Sequence, residues 1–196
     1  TIAIDAMSGD RGAAVVVHAA LEAVRENEAL SLVLVGIRSE LEALLHEGHA
    51  RIRIVEAADV VRMNERPSHA LRHKKNSSMA IALSLVRDGE AQGCVSAGNT
   101  GAMHVGAMFS IKAIEGVIRP GIAGFVPKEN GGFGIIMDVG ANADCKPDVL
   151  FQFGEIGSIY ARRVLGIKNP KVGLMNLGEE EQKGTLLMQA AHQLFK

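Results

Sequence analysis

Cys94-Val95-Ser96-Ala97-Gly98-Asn99-Thr100-Gly101-Ala102 is a short apolar run that ends in small residues and gives way to helical spacing over residues 103–114. It reads as strand, loop, helix. The glycines let the backbone bend and approach a ligand, and Ser96, Asn99 and Thr100 supply short donors. The helix start leaves N–H groups unpaired at its positive end, so an anion fits there. The same residues also satisfy a plain strand-to-helix turn, so the flanking segments must decide between the two.

On the N-terminal side the pattern repeats. Residues 1–5 form an apolar run closing on Asp5, residues 6–10 a turn, and residues 12–28 carry Val15, Val16, Ala19, Ala20 and Val24 at helical spacing. Residues 31–36 read as a buried strand, 39–46 as an N-capped amphipathic helix and 51–56 as another strand. Strand and helix alternate, which predicts a parallel sheet. Residues 59–67 are irregular, and Pro67 ends any regular structure before it. Ser68 is expected to cap a short helix, 68–75, and Ser77-Ser78 to open another through Arg87 with Met79, Leu83 and Val86 as its buried stripe.

Beyond the opening stretch, residues 122–126 and 133–139 are apolar runs joined by Pro127-Lys128-Glu129-Asn130-Gly131-Gly132, which predicts an antiparallel hairpin. Pro147 suits a helix start, and helical spacing continues over 149–165. One more strand is expected at 171–177, followed by a closing helix at 185–195. No repeat, low-complexity tract or linker divides the sequence, so residues 1–196 read as one α/β domain.

Lys and Arg number 21 against 22 Asp and Glu, a net charge of −1, and hydrophobic residues make up 47% of the 196. That content supports a real core, and no basic field points to nucleic acid. With one Tyr and no Trp the chain is poor in stacking platforms for single strands. No leader of signal-peptide type opens the sequence and no apolar run reaches the ~18 residues of a membrane span, so a soluble cytoplasmic protein is expected. Cys94 and Cys145 lack CxxC spacing and read as structural thiols. The histidines lack ligand spacing.

Four loops rich in glycine and polar residues follow predicted strands: 5–10, 96–101, 138–146 and 176–184. In an open α/β sheet such exits share one edge, so they are expected to form one pocket. GxxxxGK[ST], GxGxxG after the first strand and GxSxG are all missing, which leaves phosphate without a nucleotide. Asp5, Asp10, Asp138 and Asp144 are of a type that binds Mg²⁺, yet carboxylates at strand exits also cap helices and orient Lys or Asn side chains, the reading preferred here.

Taken together, Asp5-Ala-Met-Ser-Gly-Asp10, Lys75-Asn-Ser-Ser-Met79, Ser96-Ala-Gly-Asn-Thr-Gly-Ala102, Asp138-Val-Gly-Ala-Asn-Ala-Asp-Cys-Lys-Pro147 and Asn176-Leu-Gly-Glu-Glu-Glu-Gln-Lys-Gly184 resemble the PlsX family of bacterial phosphate acyltransferases. The chain departs from that family at Ser8, where glycine is usual, and in length. Family members run well beyond 196 residues, which implies a chain truncated at its C-terminal side.

The resemblance implies a three-layer αβα sandwich with a mostly parallel sheet, related to isocitrate and isopropylmalate dehydrogenases and to phosphotransacetylases. It also implies transfer of a long acyl chain from acyl carrier protein to inorganic phosphate, without metal or cofactor. A homodimer, peripheral contact with the inner face of the membrane and a downstream glycerol-3-phosphate acyltransferase follow as partners.

On this reading Lys183, Asn142, Asp138 and Asp144 carry the chemistry. Asp5, Gly9, Asp10, Ser96, Gly98, Asn99, Thr100, Gly101, Lys146, Asn176 and Glu180 bind substrate and phosphate. Docking of acidic acyl carrier protein falls to Arg72, Lys74 and Lys75, or to Arg162, Arg163, Lys168 and Lys171. The alternatives are a short-chain phosphate acyltransferase using coenzyme A, a decarboxylating dehydrogenase, for which no cofactor fingerprint is present, and an inactive phosphate-binding fragment.

Overall fold

Four short runs form β1 (Ile2–Asp5), β2 (Leu32–Gly36), β3 (Ile52–Glu56) and β4 (Gly93–Ser96), paired in parallel in the order β3-β2-β1-β4. The computed structural model describes every residue except Glu47, Asn130, Glu179 and Glu181. It divides into two compact units, Thr1–Lys112 and Ala113–Lys196.

In the first unit α1 (Gly12–Glu26) and α2 (Arg38–Leu45) cover one face of the sheet, and α4 (Ser78–Arg87) covers the other. All five β2 residues are buried, as a strand covered on both faces requires. Successive side chains point to opposite faces, so Leu32 and Leu34 meet Val17, Ala20, Val24 and Leu41, whereas Val33 and Val35 meet Ala82 and Leu85. The result is a three-layer α/β sandwich. A third cluster, Val61, Ala70, Met79, Leu83 and Ala102, joins α4 to α3 (Pro67–His73) and α5 (Thr100–Ser110).

The chain runs from β1 outward to β2 and β3, then returns to place β4 on the opposite side of β1. This reversal opens a crevice at the carboxyl ends of β1 and β4, where ligands of doubly wound sheets bind.

Local boundaries follow backbone chemistry. Glu40 and Leu41 donate to Ile37 O at 3.1 and 3.0 Å, so α2 starts before Ser39, which lies inside the helix instead of capping it. Likewise α3 starts from Arg66 with Pro67 in its first turn, where the missing N–H costs nothing, so Ser68 is not the cap. Ser77 does cap α4, its Oγ accepting from Ala80 N.

In the second unit β5 (Ala123–Pro127) and β6 (Phe133–Met137) form the antiparallel hairpin expected, and α6 (Pro147–Arg163) packs on β6 and on α7 (Leu186–Phe195). Asn130, in the hairpin connection, lies outside the described residues. Two expectations are corrected here. The hairpin is a separate two-stranded sheet, so the 138–146 loop does not leave the parallel sheet. Residues 171–177 form no strand: among the described residues none pairs with them, and Met175 and Leu177 are 77% and 85% exposed.

Candidate functional site

Asp5 and Ser96 are register partners at the ends of β1 and β4. Ser96 Oγ donates to Asp5 Oδ2 at 2.7 Å and accepts from Gly98 N at 3.1 Å, so one hydroxyl links the strand end to the first turn of the loop. The β1–α1 loop packs directly on this turn. A Cβ at Gly98 would stand 2.6 Å from Ser8 Cβ, and one at Gly9 would stand 3.1 Å from Ala97 Cβ. Gly9 also holds φ +105°, a backbone conformation side chains disfavour. Asp5 Oδ1 and Ser8 Oγ are buried without a hydrogen-bond partner.

Asn99 caps α5 by accepting from Ala102 N at 3.0 Å. Its Nδ2 donates to Met63 O and Glu65 O, both at 3.0 Å, which fastens the loop before α3 to the helix start. The asparagine side chain is thus committed to the protein. Thr100 and Gly101 are exposed, and as the first residues of α5 their N–H groups have no intrahelical acceptor. A side chain at Gly101 would meet Pro67 at 2.8 Å. Asp10, next to Gly9, is exposed.

Burial pushes the Cys94 thiol up, helped by the negative charge of Asp5, to about 11. A thiol so protonated at neutral pH is a packing group, not a nucleophile.

Sequence reasoning missed the brace beneath the loop before α3. Lys74 Nζ donates to Glu65 Oε1 at 2.6 Å and to Val60 O at 2.7 Å, and Arg62 N donates to the same Glu65 oxygen at 2.8 Å. The Lys74 hydrogen bond, then that from Arg62, hold the Glu65 carboxyl below the usual range. Lys74 therefore leaves the exposed basic patch to Arg72 and Lys75. No periodic signal marks such a pair nine residues apart across an irregular segment.

In the second unit Asp138 is the organising group. Its Oδ1 accepts from Ile122 N at 2.8 Å and Ala141 N at 3.1 Å, its Oδ2 from Asn142 N at 2.7 Å and Asn142 Nδ2 at 3.2 Å. Burial raises the carboxyl, but these donors together outweigh it and hold Asp138 below the ordinary carboxylate range. Asn142 Nδ2 also donates to Pro120 O at 2.9 Å. Asp144 and Lys146 are exposed, with Asp144 O accepting from Arg119 at 3.0 Å.

The loop carrying Lys183 closes on itself. Asn176 Nδ2 donates to Lys183 O at 3.1 Å, and Lys183 N to Glu180 O at 2.9 Å. Gly178, at φ +93°, lies against Lys183 and Glu180. The Lys183 and Glu180 side chains are exposed. Glu179 and Glu181 of this motif lie outside the described residues.

Fold and site together define an α/β protein with donor-rich loops at the switch point of a parallel sheet. Residues 1–196 match the family described as fatty acid synthesis protein. A Marinobacter nauticus protein named phosphate acyltransferase is 71% identical over 184 residues, which cover 94% of this chain and 54% of that protein. Proteins of the same name from Coxiella burnetii and Desulfitobacterium hafniense are 44% and 45% identical, each covering 100% of this chain and 59% and 58% of their own lengths. The chain belongs to the fatty acid synthesis protein family. It spans just over half the length of these relatives.

Proposed function

We propose that the protein transfers a long-chain acyl group from acyl carrier protein to inorganic phosphate, giving acyl phosphate for phospholipid synthesis. The observation that carries this reading is the 71% identity over 184 residues to a protein named phosphate acyltransferase. Phosphate attacks the thioester carbonyl carbon, a tetrahedral oxyanion forms, and the C–S bond breaks to release the carrier thiol. The phosphate dianion is itself the nucleophile, so this step asks the protein to position, desolvate and stabilise charge.

Thr100 and the free N–H groups at the start of α5 hold phosphate, with Asp5, Ser96, Gly98 and Asn99 fixing the loop, Ser96 through the proton it gives Asp5. Gly9 and Asp10 border it, and Gly101 keeps the helix start open. Lys183 neutralises the oxyanion, on a loop shaped by Asn176 and Glu180. Asn142 donates to the oxyanion by exchanging its contact with Pro120 O, while Asp138, with Asp144 and Lys146 further along, holds its loop. Arg72 and Lys75 face acidic acyl carrier protein, and reversing their charge lowers the association rate. Function as a homodimer, in peripheral contact with the inner membrane face and a downstream glycerol-3-phosphate acyltransferase, belongs to the same reading. Among the described residues no helix is long and apolar enough to cross a membrane.

The test is phosphate-dependent thiol release from long-chain acyl carrier protein and from acyl-coenzyme A. It is run on this chain and on a version extended to the length of its relatives. Preference for the carrier protein supports the proposal. Preference for short acyl-coenzyme A replaces it with the short-chain reading, and activity only in the extended version makes this chain the phosphate-binding part of the enzyme.

A further inference from the structure

Met7, Ser8 and Gly9 form one wall of a cleft of about 330 Å³, and Val60, Val61, Arg62 and Met63 form the other. That volume lies at the lower end of the range for small-molecule sites, about 300–1,000 Å³. Ser8 is 3% exposed, its hydroxyl enclosed against the Gly98 turn, so it offers the cleft its backbone. The N–H groups of Met7, Ser8 and Gly9 make no hydrogen bond among the described residues. Across the cleft, Glu65 and Lys74 brace the backbone that carries Arg62. The Arg62 guanidinium makes no hydrogen bond among the described residues, and its charge also acts on the Glu65 carboxyl.

The unpaired N–H groups of Met7, Ser8 and Gly9 are donors, so the complementary ligand is an acceptor, and opposite a guanidinium fork an anionic phosphate oxygen. The remaining lining is apolar: Met7, Val60, Val61 and Met63. Bare inorganic phosphate would lose water against these side chains without replacement. A phosphate ester turns its oxygens to Arg62 and its carbon chain to the adaptable methionines.

Resting on the acyltransfer reading above, we propose that this cleft binds the phosphate ester of the acyl donor, with Arg62 as its recognition side chain and the backbone N–H groups of Met7, Ser8 and Gly9 facing it. It is a subsite separate from the α5 loop that takes the nucleophilic phosphate. Both donor sources, a carrier-protein prosthetic arm and coenzyme A, present this chemistry.

The test compares Arg62→Gln and Arg62→Lys with the unsubstituted protein, each extended to the length of its relatives. The donors are acyl carrier protein, acyl-coenzyme A and an acyl thioester of N-acetylcysteamine, which has no phosphate. Arg62→Gln is expected to lower kcat/KM by about ten- to hundredfold with a phosphorylated donor, less than about twofold with the phosphate-free one, and to leave KM for inorganic phosphate unchanged. Arg62→Lys, which keeps the charge but not the fork, moves in the same direction by less. Whether the loss is larger with the carrier protein or with coenzyme A identifies which source the cleft serves. Equal losses on all donors, or a rise confined to KM for inorganic phosphate, overturn the inference. Failure of the unsubstituted protein to turn over any donor defeats the acyltransfer reading and the inference with it.

Discussion

Four donors converge on the Asp138 carboxyl group. Because its folded value lies below the unfolded one, Asp138 stabilises the fold fully above the ordinary carboxylate range, and the contribution is lost as pH falls through the folded value. Asp138→Asn should cost about 1–3 kcal/mol near neutral pH, since an amide N–H₂ then faces backbone donors. Urea unfolding should show the loss shrinking as the pH falls below the ordinary carboxylate range; an unchanged pH slope would contradict it. Cys94 should alkylate slowly with iodoacetamide until the pH nears 11, and Cys94→Ala should keep activity. Rapid labelling near neutrality would overturn that assignment. Lys183→Ala in the extended protein should lower turnover by about ten- to hundredfold, the effect of one charge-assisted contact made at the transition state. A near-normal rate would remove Lys183 from the chemistry. At this scale residue type and strand-exit position flagged Asp138 and Asn99, but not what they hold. The acceptors of Asn99 Nδ2 are carbonyls of an irregular segment more than thirty positions earlier, which local pattern does not encode.

Among the elements, the junction of β4 with α5 is the most tightly specified. Gly98→Ala drives a methyl group into Ser8 and should cost about 1–3 kcal/mol. In a Ser8→Gly background that cost should fall, and denaturation of the four members of this cycle measures the coupling. Additive losses would mean that the two loops do not touch as described. Asn99→Ala should destabilise α5 by about 0.5–2 kcal/mol through its cap. Asn99→Asp should recover part of this by restoring the acceptor without the two Nδ2 bonds. The α/β alternation was readable because each strand is a short apolar run and each helix has a clear stripe. Ser77 announced one helix start, whereas Asn99, read as a phosphate donor, caps another. The 171–177 segment misled because Val172, Leu174, Met175 and Leu177 mimic a strand, whereas a strand also needs a neighbour to pair with.

Over the whole molecule, the strand order β3-β2-β1-β4 does what no single motif does: it sets Asp5 beside Ser96. The gathering of these two loops was legible, since a parallel sheet puts all its strand exits on one edge. Legibility ended where the second unit begins, because the 138–146 loop leaves a separate hairpin and the 176–184 loop follows no strand. Arg62 and Lys74 were also hidden, their importance arising from a fold-dependent brace. The central claim is chemical, that inorganic phosphate is the acyl acceptor, and ³¹P NMR of a reaction with long-chain acyl carrier protein tests it most directly. The protein at the full length of its relatives should convert inorganic phosphate into acyl phosphate, one for each thiol released. Thiol release without an acyl phosphate signal, the acyl chain appearing as free acid, would contradict it.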